Sequence, residues 1–164
     1  MVDSRGALAQ DGRRAERLEL RVPTTPTQLP AVRAMAGDLA MRMDYDLDAV
    51  EDLRLAVDEA SATLASIALP ETPLAVVFEV GSRGLHIDAW VATTPGTEVP
   101  RDGFGWAVLA TLVDSVDSGR STQAEVPAGD GSDSAVAVIS LDKHLPGPLD
   151  RSAGEAGADL SVAR

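Results

Sequence analysis

Two short stretches of this chain carry residue types that could do chemistry. In the first, Asp52-Leu53-Arg54-Leu55-Ala56-Val57-Asp58-Glu59-Ala60, the Glu59 carboxylate flanks an apolar helical stripe, and Thr63, four residues on, shares its helix face. A carboxylate so placed can act as a base, or can simply face water at the boundary of the core. In the second, Gly103-Phe104-Gly105 leads into a helix. Glycines there let backbone N–H groups approach a phosphate at the positive end of the helix dipole. The same pair also serves as an ordinary loop-to-helix turn.

Other constellations are absent or have a plainer reading. With no Cys, the chain has neither disulfides nor thiolate metal ligands, and His86 and His144 are its only imidazoles. His86 falls on the opposite parity to Leu85 and Ile87 and is expected to be exposed, and His144 lies near the tail; neither is assigned a function, and no metal site is expected. Asp44, Asp46, Asp48, Glu51 and Asp52 crowd one turn and the first turn of a helix. The helix dipole explains them, and a calcium loop would need a Gly at its bend.

The elements that must position these groups follow from periodicity. Leu18, Leu20 and Val22 alternate with Glu19 and Arg21 as a half-buried strand that Pro23 ends. Thr27, as N-cap, and Pro30 open a helix with Leu29, Val32, Met35, Ala36, Leu39, Ala40 and Met43 at spacings of three and four. Asp46 or Asp48 caps a longer helix carrying Val50, Leu53, Val57, Ala60, Leu64 and Ile67, which Pro70 stops. Residues 74–80 and 85–91 read as strands joined by a hairpin at 81–84. A third helix is expected from Gly103 with Trp106, Leu109, Leu112, Val113 and Val116, then a Gly-rich break over 118–133 and a last strand over 135–141. Strands split by helices, with hairpin spacing late in the chain, predict an α/β two-layer sandwich: a mostly antiparallel sheet with helices on one face.

One domain over residues 16–145 is expected, between a mobile N-terminus (1–15) and a disordered tail (146–164). The chain has 164 residues, 45% of them hydrophobic, enough for one sizeable core. A formal net charge of -12 argues against nucleic-acid binding, which needs Lys and Arg at phosphates, and favours a basic protein partner. No secretory signal and no apolar run of about 20 residues is present, so a cytoplasmic location without membrane association is expected.

The two stretches, in this order of elements, resemble the anti-sigma-factor serine kinases of the RsbW and UsfX type, within the GHKL superfamily of histidine-kinase-like ATPases; the resemblance covers roughly residues 17–145. It implies that Glu59 is the catalytic base and that Thr63, Asp102, Gly103 and Gly105 handle the nucleotide, ATP with magnesium. This sequence departs from the family pattern in three places. Thr63 stands where the family has a magnesium-holding Asn, and Thr is shorter and a poorer ligand. No Asp-x-Gly follows the strand that exits as Val91-Ala92-Thr93-Thr94-Pro95-Gly96, so a charge-assisted hydrogen bond to adenine is lost, about 1.5–3 kcal/mol. Gly131-Ser132-Asp133-Ser134 replaces the late Gly-Thr and brings a carboxylate near the phosphates.

The resemblance therefore implies an anti-sigma factor that sequesters an alternative sigma factor, is released by an anti-anti-sigma factor, forms a homodimer and binds ATP and magnesium weakly or not at all. Two alternatives stand beside it: an active ATP-dependent serine kinase acting on the antagonist, and an ATP-binding regulator unrelated to sigma factors.

Overall fold

The computed structural model describes residues 16–121 and 135–146. Eight elements follow in order: β1 (Glu16–Pro23), α1 (Pro30–Arg42), α2 (Leu47–Ile67), β2 (Pro73–Gly81), β3 (Gly84–Thr93), α3 (Phe104–Leu112), β4 (Ser115–Ser121) and β5 (Ala135–His144). The strands form one sheet in the order β1-β2-β3-β5-β4, and every neighbouring pair is antiparallel. This is the expected two-layer sandwich, with one strand more than the sequence reading found. The third helix ends at Leu112 rather than running through Val113 and Val116, and β4 begins at Ser115, in the stretch expected to be helical, and runs on into the expected Gly-rich break. Residues 1–15, the tail from 147 and the motif at 131–134 lie outside the described residues.

Alternation decides which strand face meets the helices. Leu74, Val76 and Phe78 of β2, Leu85, Ile87, Ala89 and Val91 of β3 and Ala137, Ile139 and Leu141 of β5 join Val32, Ala36, Leu39, Val50, Leu53, Val57 and Leu64 of α1 and α2 in one core. Helix α1 starts two residues later than Thr27 predicts, with Leu29 as N-cap and Pro30 at its first position, where a missing N–H costs nothing. Helix α2 is capped by Asp46, whose carboxylate accepts a hydrogen bond from Ala49 N at 2.8 Å.

The turn between α1 and α2 is tied to the sheet through Tyr45. Its hydroxyl donates to the Lys143 carbonyl at 2.5 Å and accepts from Leu85 N at 3.0 Å. Leu85 and Lys143 are register partners in β3 and β5, so the hydroxyl bridges two groups of facing strands. Burial pushes the Tyr45 hydroxyl up to about 12, against the lowering effect of the Leu85 N–H and with a small upward push from Asp114. Next to this bridge, Gly84 has φ 151°, and a side chain there would strike the Lys143 carbonyl.

The opposite sheet face carries Ala75, Val77, Trp90 and Val136 as a small buried cluster and, nearer the β2–β3 hairpin, a polar network centred on His86. Contrary to the sequence expectation, His86 is half-buried. Its Nδ1 lies 2.6 Å from Asp142 and its Nε2 3.2 Å from Asp88, which also accepts from Ser140 Oγ at 2.5 Å. His86 does lie on the face opposite Leu85 and Ile87; the burial comes from β5, which places Asp142 directly across from His86, as β2 places Glu79. The hydrogen bond to Asp88 and then that to Asp142, working against burial, push His86 up from 6.5 to about 9. Burial alone would raise Asp88, but His86 and Ser140 hold it below the usual carboxylate range.

Two predictions follow from these contacts. Tyr45→Phe leaves the Leu85 N–H and the Lys143 carbonyl without their partner, so the urea midpoint should fall by an amount equivalent to about 1–3 kcal/mol with the m-value unchanged. Because His86 is protonated more readily in the folded chain, its contribution to stability is complete below about pH 6.5 and is lost as pH rises through about 9. Urea midpoints measured from pH 6 to pH 9.5 should decline across that window, and His86→Gln should flatten the decline.

Candidate functional site

Helix α3 begins at Gly103, its N-cap, with extended backbone (φ -92°, ψ 169°) and no side-chain capping bond. The first-turn N–H groups thus carry the positive end of the helix without a capping side chain. No atom lies within 4 Å of where a Cβ on Gly103 would be, so this position is open. Gly105 is the reverse. A Cβ there would collide with Glu59 Oε1 and stand 3.0 Å from the Glu59 carboxyl carbon, so the absence of a side chain is what admits the carboxylate. The structure therefore brings Glu59 of α2 and the glycine pair of α3 into one crevice.

Thr63, one turn beyond Glu59, is half-buried, and its carbonyl accepts from Ser66 Oγ at 2.7 Å. Asp102 is exposed in the loop that precedes α3. That loop is anchored in the core by buried Val99. It folds through a turn in which Thr97 N donates to the Thr94 carbonyl at 3.1 Å and the two hydroxyls lie 2.9 Å apart. At its end Arg101 stacks over the Trp106 ring at 4.9 Å and pairs with Asp117 of β4 at 3.1 Å, fixing the entry to α3. Beside this pair lies an open cavity of about 220 Å³ lined by Glu98, Val99, Arg101, Ser118 and Gly119.

The other end of α3 is held by Lys143 of β5. Its side chain is 15% exposed, and the ammonium pairs with Asp52 of α2 at 3.1 Å and donates to the Leu112 carbonyl at 2.8 Å. It thereby binds the negative end of α3 to α2, and the crevice is fixed at both ends.

One polar group at this level of the sheet escaped sequence reasoning. Strand β3 ends at Thr93, which is 1% exposed, and its hydroxyl has no hydrogen-bond partner among the described residues. It is a neutral hydroxyl in the strand exit, residues 91–96, that contains no Asp-x-Gly. Its signal in sequence is only a polar residue on the inward parity of an apolar strand. Among the described residues no three His, Cys, Asp or Glu side chains converge as a metal centre, and no helix is long and apolar enough to cross a membrane.

Comparison with known proteins agrees with this architecture. A family model described as "Histidine kinase-like ATPase domain" matches residues 22–126. An anti-sigma-F factor RsbW of Mycobacterium tuberculosis is 36% identical over 99 residues, 60% of this chain and 59% of that protein. A serine-protein kinase RsbW of Bacillus cereus is 24% identical over 123 residues, covering 63% of this chain and 77% of the relative. The chain thus spans about three fifths of the length of the mycobacterial relative. A five-stranded antiparallel sheet backed by three helices, a carboxylate seated on a helix-opening glycine, and a family match over more than half of the sequence lead to one conclusion: this chain belongs to the histidine kinase-like ATPase domain family.

Proposed function

We propose that this protein is an anti-sigma factor. It sequesters an alternative sigma factor by surface complementarity, keeps it from RNA polymerase, and yields it to an anti-anti-sigma factor that competes for an overlapping surface. The observation that carries the reading is the seating of Glu59 against Gly105 at the open end of α3, which gives physical form to the two motifs shared with the anti-sigma-factor kinases. The names of the relatives support the same reading. The competing surface comprises residues 29–43 and the loop 93–102, and the protein works in the cytoplasm as a homodimer.

The same geometry bears on the nucleotide. At the phosphate end the residues fit: Gly103 is open and the first turn of α3 has no capping side chain. Gly103, Gly105 and the backbone after Asp102 would hold phosphate. The metal end is reduced to the Glu59 carboxylate and the Thr63 hydroxyl. For the base, the end of β3 offers a buried, uncharged hydroxyl at Thr93 in place of a carboxylate. When bound, ATP with magnesium supplies a transferable phosphoryl group. Glu59 would then take the proton of an attacking hydroxyl, and this supports a serine kinase acting on the antagonist as the second reading.

Calorimetry with ATP and magnesium separates the two. Loss of the charged purine contact predicts binding weaker by about tenfold or more than a site that keeps it. Gly105→Ala, whose methyl displaces Glu59, should remove the binding that remains. Stoichiometric transfer of labelled phosphate from ATP to the antagonist, abolished by Glu59→Ala, would overturn the degenerate-site reading and make the kinase the principal activity.

A further inference from the structure

We propose that the nucleotide crevice does not discriminate adenine from other purines: the Thr93 hydroxyl takes the base at the end of β3, and it accepts a ring bearing an amino group or one bearing an oxygen at the same position. The proposal rests on the nucleotide reading above and names the substrate class of that site.

Helix α2 sets the path from phosphate to base. Glu59 sits against Gly105, Thr63 follows one turn on, and the helix ends at Ile67, about 12 Å beyond Glu59. Two residues later Leu69 N donates to the Ala92 carbonyl at 2.8 Å, which fastens this end of α2 to the exit of β3. From Thr93 the chain returns through the loop 93–102 to Gly103, the N-cap of α3. The exit of β3 thereby stands at the far end of the crevice that the first turn of α3 opens.

The polar groups at that exit are few. Between Ala89 and Thr97 the chain has no carboxylate, and its polar side chains are Trp90 and three threonines. Trp90 belongs to the opposite sheet face. Thr94 and Thr97 pair with each other, their hydroxyls 2.9 Å apart. Thr93 is left, on the parity that faces the helices, and its buried hydroxyl has no partner among the described residues. Such a group is costly to leave unpaired, and a ligand that bonds to it removes the cost. Ser61 Oγ is buried and unpartnered too, but two residues from Glu59 it lies on another face of α2, away from the crevice.

A hydroxyl recognises less than a carboxylate does. An ionised carboxylate only accepts, so it takes the adenine amino group and repels the oxygen that guanine carries at that position. A hydroxyl turns its proton to suit, accepting from the amino group or donating to the oxygen. Both are neutral hydrogen bonds of similar strength, so the exchange of charge for a hydroxyl removes discrimination as well as affinity.

The test is calorimetric titration of the full chain, with magnesium, against ATP and against inosine triphosphate, which has an oxygen in place of the adenine amino group. The two dissociation constants should agree within about threefold, whereas a charged acceptor separates them by about tenfold or more. Thr93→Val should weaken both by a common factor of about three to ten, as loss of one neutral hydrogen bond does. Its urea midpoint should not fall, since the hydroxyl has no bond within the fold to lose. A preference for either nucleotide beyond threefold, unchanged binding in the variant, or a lowered midpoint overturns the assignment to Thr93 and leaves the nucleotide reading standing. Failure of the wild-type chain to bind either nucleotide overturns both.

Discussion

The position of α2 relative to α3 is the constraint on which the site depends, and two contacts of unlike character set it. At one end an ammonium with little access to water is held between a carboxylate and a helix-terminal carbonyl: Lys143, Asp52 and Leu112. Such a charge is tolerable only while its partners stay in place, so the arrangement specifies geometry as much as it adds stability. At the other end the contact is one of shape, since Glu59 fits only because Gly105 offers no Cβ. Lys143 belongs to β5, so the register of the sheet is transmitted directly to the spacing of two helices on its face.

The same strand serves the other helix pair. The Lys143 carbonyl takes the Tyr45 hydroxyl, and through it the turn that joins α1 to α2. One residue of β5 thus fixes the start of α2 by its backbone and the end of α3 by its side chain. Both helices that build the crevice are referred to a single point on the sheet, whereas the residues of the crevice itself form few polar contacts with one another.

The sequence conveyed most of the frame and only part of the site. Period-two alternation located β1 and β3, which turn one face to the helices, and a continuous apolar run located β2, which is buried on both faces; β5 was read as the apolar stretch that follows the Gly-rich break. Alternation missed β4, whose sequence Ser-Val-Asp-Ser-Gly-Arg-Ser offers one inward apolar residue, Val116, against Leu141. An edge strand that buries so little leaves no hydrophobic rhythm to read, and it is held by backbone pairing with β5 instead. Helical spacing put Glu59 and Thr63 on a common face, but the approach of Glu59 to Gly105 joins positions 46 residues apart in the chain; the family resemblance supplied that expectation. The half-burial of His86 was illegible for the same reason, since its carboxylate partner Asp142 arrives from a strand 56 residues away.

The sheet order has a consequence for how the chain is made. β5 is the last of the described strands to leave the ribosome, yet it occupies an interior place, with β3 on one side and β4 on the other. Until residues 135–144 emerge, β3 and β4 each present a raw row of amide and carbonyl groups, and α3 has nothing to moor its C-terminal turn. The nascent protein must therefore wait, half-assembled and open along that seam, for a single late segment to close it. The seam lies between the strand that ends at Thr93 and the strand that follows α3, so the crevice acquires its final width only when translation of the domain is essentially complete.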